Sequence, residues 1–237
     1  MDPSTHLAGE GHRAGAVSAL VEAIRAALRT SADPSRAPGQ QAYMKSAMPF
    51  LGVSVPVVRR IARTAVKGAG PIEPSVLRDA AQTLWDDARY REERYAATAL
   101  LAVGAASADH TVVPLIEHMV RTGRWWDYTD DLAHRLAGLH DREPAATAAL
   151  VRRWSTDEQM WIRRISILSQ LGRRDRIDLE VLTDVIAPNL ADREFFIRKA
   201  IGWALRECAR VHPQWVREFA AAAPLSPLSR REALKHL

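Results

Sequence analysis

Three aromatic residues, Trp126, Trp161 and Phe196, stand 35 residues apart, and each belongs to a similar phrase: RWWDYTDDLAHRL, QMWIRRISILSQL and EFFIRKAIGWALREC. A fourth phrase, REERYAATALLAV from Arg91, fits one period earlier. Each sets a bulky aromatic beside charges and then runs on with apolar residues at helical spacing. A helical pair of this length cannot bury its own apolar face and must lay it against the next pair. The period therefore predicts an all-α chain, an α-solenoid whose concave face is lined by one helix from each repeat.

The rest of the chain agrees with helices. AVSALVEAIRAAL places Val17, Leu20, Val21, Ile24 and Leu28 on one face. In SVPVVRRIARTAV, Ser54 is a candidate N-cap and Pro56 falls in the first turn, where a missing N–H costs nothing. Further helix starts are expected near Pro74, Tyr90, Thr111, Trp125, Glu143, Asp157, Asp178, Asp192, His212 and Pro227. Nothing alternates with the period of a strand, and no Asn-Gly or Asp-Gly hairpin turn occurs. Residues 1–14 are polar and expected to be a mobile segment; residues 15–237 are expected to form a single repeat domain. The single cysteine, Cys208, excludes a disulfide framework, a zinc knuckle or an iron–sulfur cluster within one chain, and its helical context makes it a core residue. No run approaches the ~18 apolar residues of a membrane span, and no secretory leader pattern opens the sequence. A bacterial cytoplasm or nucleoid is the expected compartment.

Net charge is +5, which favours a polyanionic partner only if the cations are gathered on one face. The repeat gathers some of them. Arg163 and Arg164 follow Trp161, and Arg198 and Lys199 follow Phe196, so stacked helices would carry a ladder of cations able to track a phosphate backbone. PLSRREALKHL adds Arg230 and Arg231 at a helix start that Ser229 could cap. Tyr43, Trp125, Trp126, Trp161 and Trp203 are interleaved with this basic set, whereas Trp85, Trp154 and Trp215 read as core. Adjacent indoles on a helix point about 100° apart, so one of Trp125 and Trp126 can be core while the other faces the groove. The acids Asp127, Asp130 and Asp131 do not suit a surface made only for phosphate. Asp127 fits the first turn of a helix. Asp130 lies deeper, and a carboxylate there makes sense if something positive binds beside it.

AYMKSAMPFLGV, RWWDYTDDL, MWIRRISIL, EFFIRKAIGWALRE and PLSRREALKHL, in that order and at that spacing, resemble the AlkD-like DNA glycosylases from about Tyr43 to the C-terminus. The resemblance implies HEAT-like repeats cradling double-stranded DNA on the concave face, and monofunctional excision of cationic N3- or N7-alkylated purines, the first step of base excision repair. It implies Trp126, Asp130 and Trp203 as catalytic residues, Arg164 as a cation contacting the backbone near the site, and Tyr43 as a groove-side tyrosine. All five residue types are retained. It implies a monomer without cofactor, metal or membrane. It also implies that bulky adducts can be accepted, because the family leaves the lesion outside any snug base pocket. Methyl lesions, 3-methyladenine and 7-methylguanine, are the default; a bulky minor-groove adenine adduct, as in self-resistance of antibiotic producers, stays open.

The chemistry fits those residue types. Alkylation at N3 or N7 makes the purine a cation and a good leaving group, so little protonation is required. What remains is to stabilise positive charge on the sugar, which a carboxylate does electrostatically, and to orient a water. Indoles add cation–π attraction of about 0.5–2 kcal/mol each. Two rivals stand against this. A non-catalytic HEAT-repeat scaffold binding DNA or protein would need the cations and aromatics but not the acid. An enzyme acting on a nucleotide or small phosphorylated ligand would need a phosphate loop, and neither GxxxxGK[ST] nor GxGxxG is present.

Overall fold

The structure, a computed structural model, describes residues 3–237, with side chains from residue 11 onward apart from those of 104 and 105. Thirteen α-helices and no strand occur among the described residues. The chain expected to form one domain from residue 15 divides into two compact units, Met1–Ala108 and Asp109–Leu237. Of the segment expected to be mobile, residues 1 and 2 lie outside the described residues, and the backbone is helical from Pro3.

The first unit holds α1 (Pro3–Thr30), α2 (Ala37–Met44), α3 (Val55–Gly68), α4 (Pro74–Asp86) and α5 (Arg91–Leu101). Helices α1, α3 and α4 pack on one another or on α5. The apolar stripe read from the sequence of α1 supplies Leu20, Val21, Ile24 and Leu28 to the core, with Val17 half-buried at its edge. Leu77, Leu84 and Trp85 of α4 and Leu100 and Leu101 of α5 complete it. Ser54 stands at the N-cap of α3 as expected, but its side chain makes no capping bond. The loop between α2 and α3 is held from α5 instead. Glu92 is fully buried, and its carboxylate accepts N–H bonds from Leu51 and Gly52 at 2.9 Å and from Val53 at 3.1 Å. Gly52 has φ of +87°, a conformation only glycine adopts without strain. Arg91 donates to Tyr95 Oη at 2.9 Å and lies 5.9 Å from the Phe50 ring centroid.

The second unit holds α6 (Val113–Gly123), α7 (Trp126–Arg142), α8 (Pro144–Trp154), α9 (Met160–Ile167), α10 (Leu179–Ile186), α11 (Phe195–Ala209), α12 (Pro213–Ala222) and α13 (Pro227–Ala233). Helix α7 packs on α9, α9 on α11 and α11 on α13; α8 packs on α10 beside that row. The 35-residue period is therefore a physical repeat, since equivalent helices of successive periods are neighbours. Proline in the first turn starts α8, α12 and α13, as the sequence predicts. Two starts fall three residues later than expected, at Met160 and Phe195. The acids that signalled them, Asp157 and Asp192, each accept the N–H two residues on at 2.8 Å, a turn that precedes the helix rather than opening it. Ser229 does not cap α13. Ser226 does, accepting the Ser229 N–H at 3.1 Å, while the Ser229 hydroxyl donates to the Arg198 carbonyl at 3.0 Å.

Bonds spaced by about one period lace the unit together. Asn189 donates to the Ser155 carbonyl at 2.9 Å, Arg121 pairs with Asp157 at 2.6 Å, and Arg173 pairs with Asp141 at 3.0 Å. Helices α11 and α13 approach closely at Gly202, where an added Cβ would stand 2.5 Å from Glu232 Cβ and 2.9 Å from the Ser229 carbonyl oxygen. Gly202→Ala is expected to force α11 and α13 apart and to cost about 1–3 kcal/mol, as overpacking does. A urea melt checks it; an unchanged midpoint would show that α13 is free to shift.

Candidate functional site

Trp125 and Trp126 diverge as the helix geometry requires. Trp125 is extended, ahead of α7. Its ring meets those of Trp161 at 6.2 Å and Phe196 at 6.0 Å, and Trp161 and Phe196 meet at 5.0 Å. These three rings, one from each period, glue the starts of α7, α9 and α11 together. Trp161, interleaved with the basic set in the sequence, is thereby core, with 6% of its surface exposed. Trp126 begins α7, outside this cluster and half-buried.

Asp130 lies one turn beyond Trp126 on the same face of α7. Both carboxylate oxygens accept from Arg164 of α9, Oδ1 from Nε and Oδ2 from Nη2, each at 2.8 Å. This is the planar two-point fit of a guanidinium on a carboxylate. The remaining guanidinium nitrogen of Arg164 donates to the carbonyl oxygen of Phe196 on α11, and its Cζ lies 5.8 Å from the Phe196 ring centroid. One arginine thus ties three successive helices around one acid. The Arg164 side chain is 5% exposed and that of Asp130 is 13%, so the acid is the more accessible of the two. Burial pushes the Asp130 carboxyl above its ordinary value, and the Arg164 bonds pull against that rise. Trp203 is half-buried on α11, seven residues beyond Phe196 and hence on the same face.

The cations of α9 and α11 expected on phosphates have partners within the protein. Arg164, expected on a phosphate, is a buried clamp on Asp130. Arg163 pairs with Asp192 at 2.8 Å and donates to the carbonyls of Asp157 and Glu158. Arg198 donates to the Asp192 carbonyl at 3.0 Å, and Lys199 pairs with Glu232 at 2.9 Å. Arg163 and Lys199 thus reach acids of the next repeat, whereas Arg198 bonds a carbonyl just before its own helix. Lys199 remains 40% exposed at its side chain, and Arg230 and Arg231 of α13 are exposed. Tyr43 belongs to the first unit, where it is 76% exposed at the end of α2. The Asp130–Arg164 clamp had a signal in the sequence: an acid and a cation almost one period apart on equivalent helices.

Asp127 and His134 of α7 also act on Asp130, the first raising and the second lowering its pKa. His140 is buried beside the Ser169 hydroxyl, and burial pushes its pKa down to about 4. Cys208 is fully buried, and burial pushes its thiol up to about 11. Trp85 and Trp154 are core as expected, while Trp215 is half-buried, stacked on Phe219 at 5.1 Å. Among the described residues no group of three His, Cys, Asp or Glu side chains could hold a metal ion, and no helix is long and apolar enough to cross a membrane.

Comparison with known proteins gives a consistent picture. A solved structure described as a predicted DNA alkylation repair enzyme from Enterococcus faecalis is 26% identical, with a TM-score of 0.80 over 87% of this chain and 97% of that one. AlkD2 from Streptococcus mutans, 17% identical, superposes with a TM-score of 0.61 over 78% of this chain and 91% of its own. The protein smu.31 from Streptococcus mutans UA159, 18% identical, gives 0.60 over 76% and 91%. These last two show the fold alone. No curated protein matches the sequence. The family model described as DNA alkylation repair enzyme matches residues 24–237, nearly the whole length, and the chain therefore belongs to the DNA alkylation repair enzyme family.

Proposed function

We propose that this member of the family is a monofunctional DNA glycosylase, hydrolysing the N-glycosidic bond of purines made cationic by alkylation at N3 or N7 in duplex DNA. The observation that carries the reading is the Asp130–Arg164 pair: a carboxylate fixed at both oxygens, largely withdrawn from water, its side chain still 13% exposed. A fixed negative charge in a water-poor place is what a developing oxocarbenium ion calls for. A freely solvated aspartate would lose most of that attraction to water.

The leaving base carries its own positive charge and departs neutral as the bond to C1′ breaks. Positive charge moves to the sugar, where Asp130 stabilises it. The same carboxylate accepts a hydrogen bond from the incoming water and aligns it with C1′. Trp126, one turn away, and Trp203, on the face of α11 that receives Arg164, offer indole surfaces to the cationic purine and sugar. The positive charge on Arg164 keeps Asp130 ionised against its burial. Lys199, Arg230 and Arg231, which keep exposed side chains, would meet phosphates.

The test is release of free base. The protein is incubated with methylated duplex, and with duplex carrying a bulky N3-adenine adduct, and the released species is identified by mass. Release of 3-methyladenine or 7-methylguanine supports the reading. Binding to DNA with no base released from any duplex favours the non-catalytic scaffold.

A further inference from the structure

The open face of α7 advances in steps of four. Trp126, Asp130 and His134 follow one another along it, while Leu132, Ala133, Leu136 and Ala137 are buried behind them. His134 is exposed, and among the described residues no hydrogen bond or ion pair holds its ring. Its Nδ1 lies 3.9 Å from the place a Cβ would take at Gly172, in the turn after α9. Gly172 has φ of +85° and carries no side chain to crowd the ring. The imidazole thus stands beside the end of the helix that supplies Arg164, one turn of α7 beyond Asp130. Its charge acts on the Asp130 carboxyl.

Asp130 can stabilise a sugar cation only while it stays ionised. Water adding to C1′ must nevertheless shed a proton. A proton taken by Asp130 would cancel that charge and break a bond to Arg164. The guanidinium of Arg164 has no acceptor to offer. Asp127 is engaged at the helix start, where it accepts the Tyr128 N–H at 2.9 Å. On the turn after α9, Arg173 is held by Asp141 and Gln170, and Arg174 like it has no proton-accepting form. An imidazole does exchange protons near neutral pH. Residues four apart on a helix have Cβ atoms about 5–6 Å apart, close enough for one water to bond both side chains. We propose that His134 is the general base of the hydrolysis, taking the proton of the water that Asp130 aligns. The proposal rests on the glycosylase reading and divides its labour: Asp130 keeps the charge and His134 moves the proton. The purine leaves with the electron pair of its bond to C1′. The water oxygen bonds to C1′, one of its O–H bonds breaks, and the proton passes to an imidazole nitrogen. Exposure lets His134 return it to solvent.

Single-turnover release of 7-methylguanine from methylated duplex tests it, with wild type, His134→Ala, His134→Gln and Asp130→Asn. A positioned general base contributes about 100-fold or more. His134→Ala is therefore expected to release base about 100-fold more slowly at neutral pH, with duplex affinity by anisotropy unchanged. Added imidazole is expected to restore part of that rate, and more of it as pH rises and free imidazole loses its proton. His134→Gln keeps a polar side chain but no basic nitrogen, and is expected to be as slow as the alanine variant. Asp130→Asn, which keeps His134, is expected to gain nothing from imidazole. Circular-dichroism melts confirm folding; should His134→Ala melt early, His134→Gln carries the comparison. A rate equal to wild type in either variant overturns the proposal, as does a slow, folded His134→Ala that imidazole does not speed. A parallel fall in duplex affinity makes His134 a DNA contact and overturns it too. If the wild type itself releases no base, the glycosylase reading fails and this role falls with it. If the wild type releases base and the His134 variants keep pace, the glycosylase reading stands and only this role fails.

Discussion

Asp130→Asn is expected to slow base release by about 100-fold or more while leaving duplex affinity unchanged or slightly tighter. Two unit charges about 4 Å apart at an effective dielectric near 20 attract by about 4 kcal/mol, or roughly a thousandfold in rate. The charge on Arg164 offsets part of that field, hence the lower figure. Asparagine keeps the shape and one acceptor for Arg164 but removes the charge. Phosphates are repelled by a carboxylate, so its neutralisation cannot weaken backbone contacts by the same route. Single-turnover release of 7-methylguanine at saturating enzyme, alongside anisotropy on the same duplex, separates the two effects. Equal rates in variant and wild type would remove Asp130 from the chemistry. A parallel loss of binding would make it a folding residue.

Arg164→Ala should act on the same step by a different route, and its signature is a change in pH dependence. Without the guanidinium, Asp130 stays withdrawn from water but loses both bonds that oppose its rise in pKa. In the proposed mechanism the active form is the carboxylate, so activity is present above the folded-state pKa and fades as pH falls through it. Removing Arg164 moves that fall to higher pH. The variant is expected to be slower than wild type, with its loss of rate on acidification beginning at higher pH, and to recover part of its rate as pH rises. Breaking one side of a buried pair also costs about 3–5 kcal/mol of stability, read as a lowered urea midpoint. Arg164→Lys keeps the charge without the two-point fit and should fall between. Rate profiles that coincide with the wild type across pH would show that Arg164 does not hold Asp130 ionised.

The repeat was legible because it rests on helical spacing and bulky aromatics, which any stack of helices must bury. Trp126, Trp161 and Phe196 are equivalent by spacing, and they do open successive neighbouring helices. Which indole of the pair would join the aromatic cluster was not legible. It depends on Trp125 being extended before α7, and that is settled by the rings of Trp161 and Phe196 across two helices. The cations are misleading in sequence for a related reason. Spacing tells on which side of a helix Arg163 or Lys199 lies, but Asp192 and Glu232 lie 29 and 33 residues away, and only packing brings them within reach. The hold of Glu92 on the loop before α3 was invisible for the same cause, since its partners are backbone N–H groups some 40 residues distant. At the candidate site, the clearest signal in the sequence was Asp130, an acid out of place in a basic setting.

Arg164 takes its partners from the helix before its own and the helix after it. Repeat proteins commonly diversify by gaining or losing whole units, but here a unit inserted anywhere from residue 131 to residue 195 would separate the arginine from its acid or from its carbonyl. Growth that spares the chemistry is confined to the flanks, so the middle of this array is fixed in length by a single side chain.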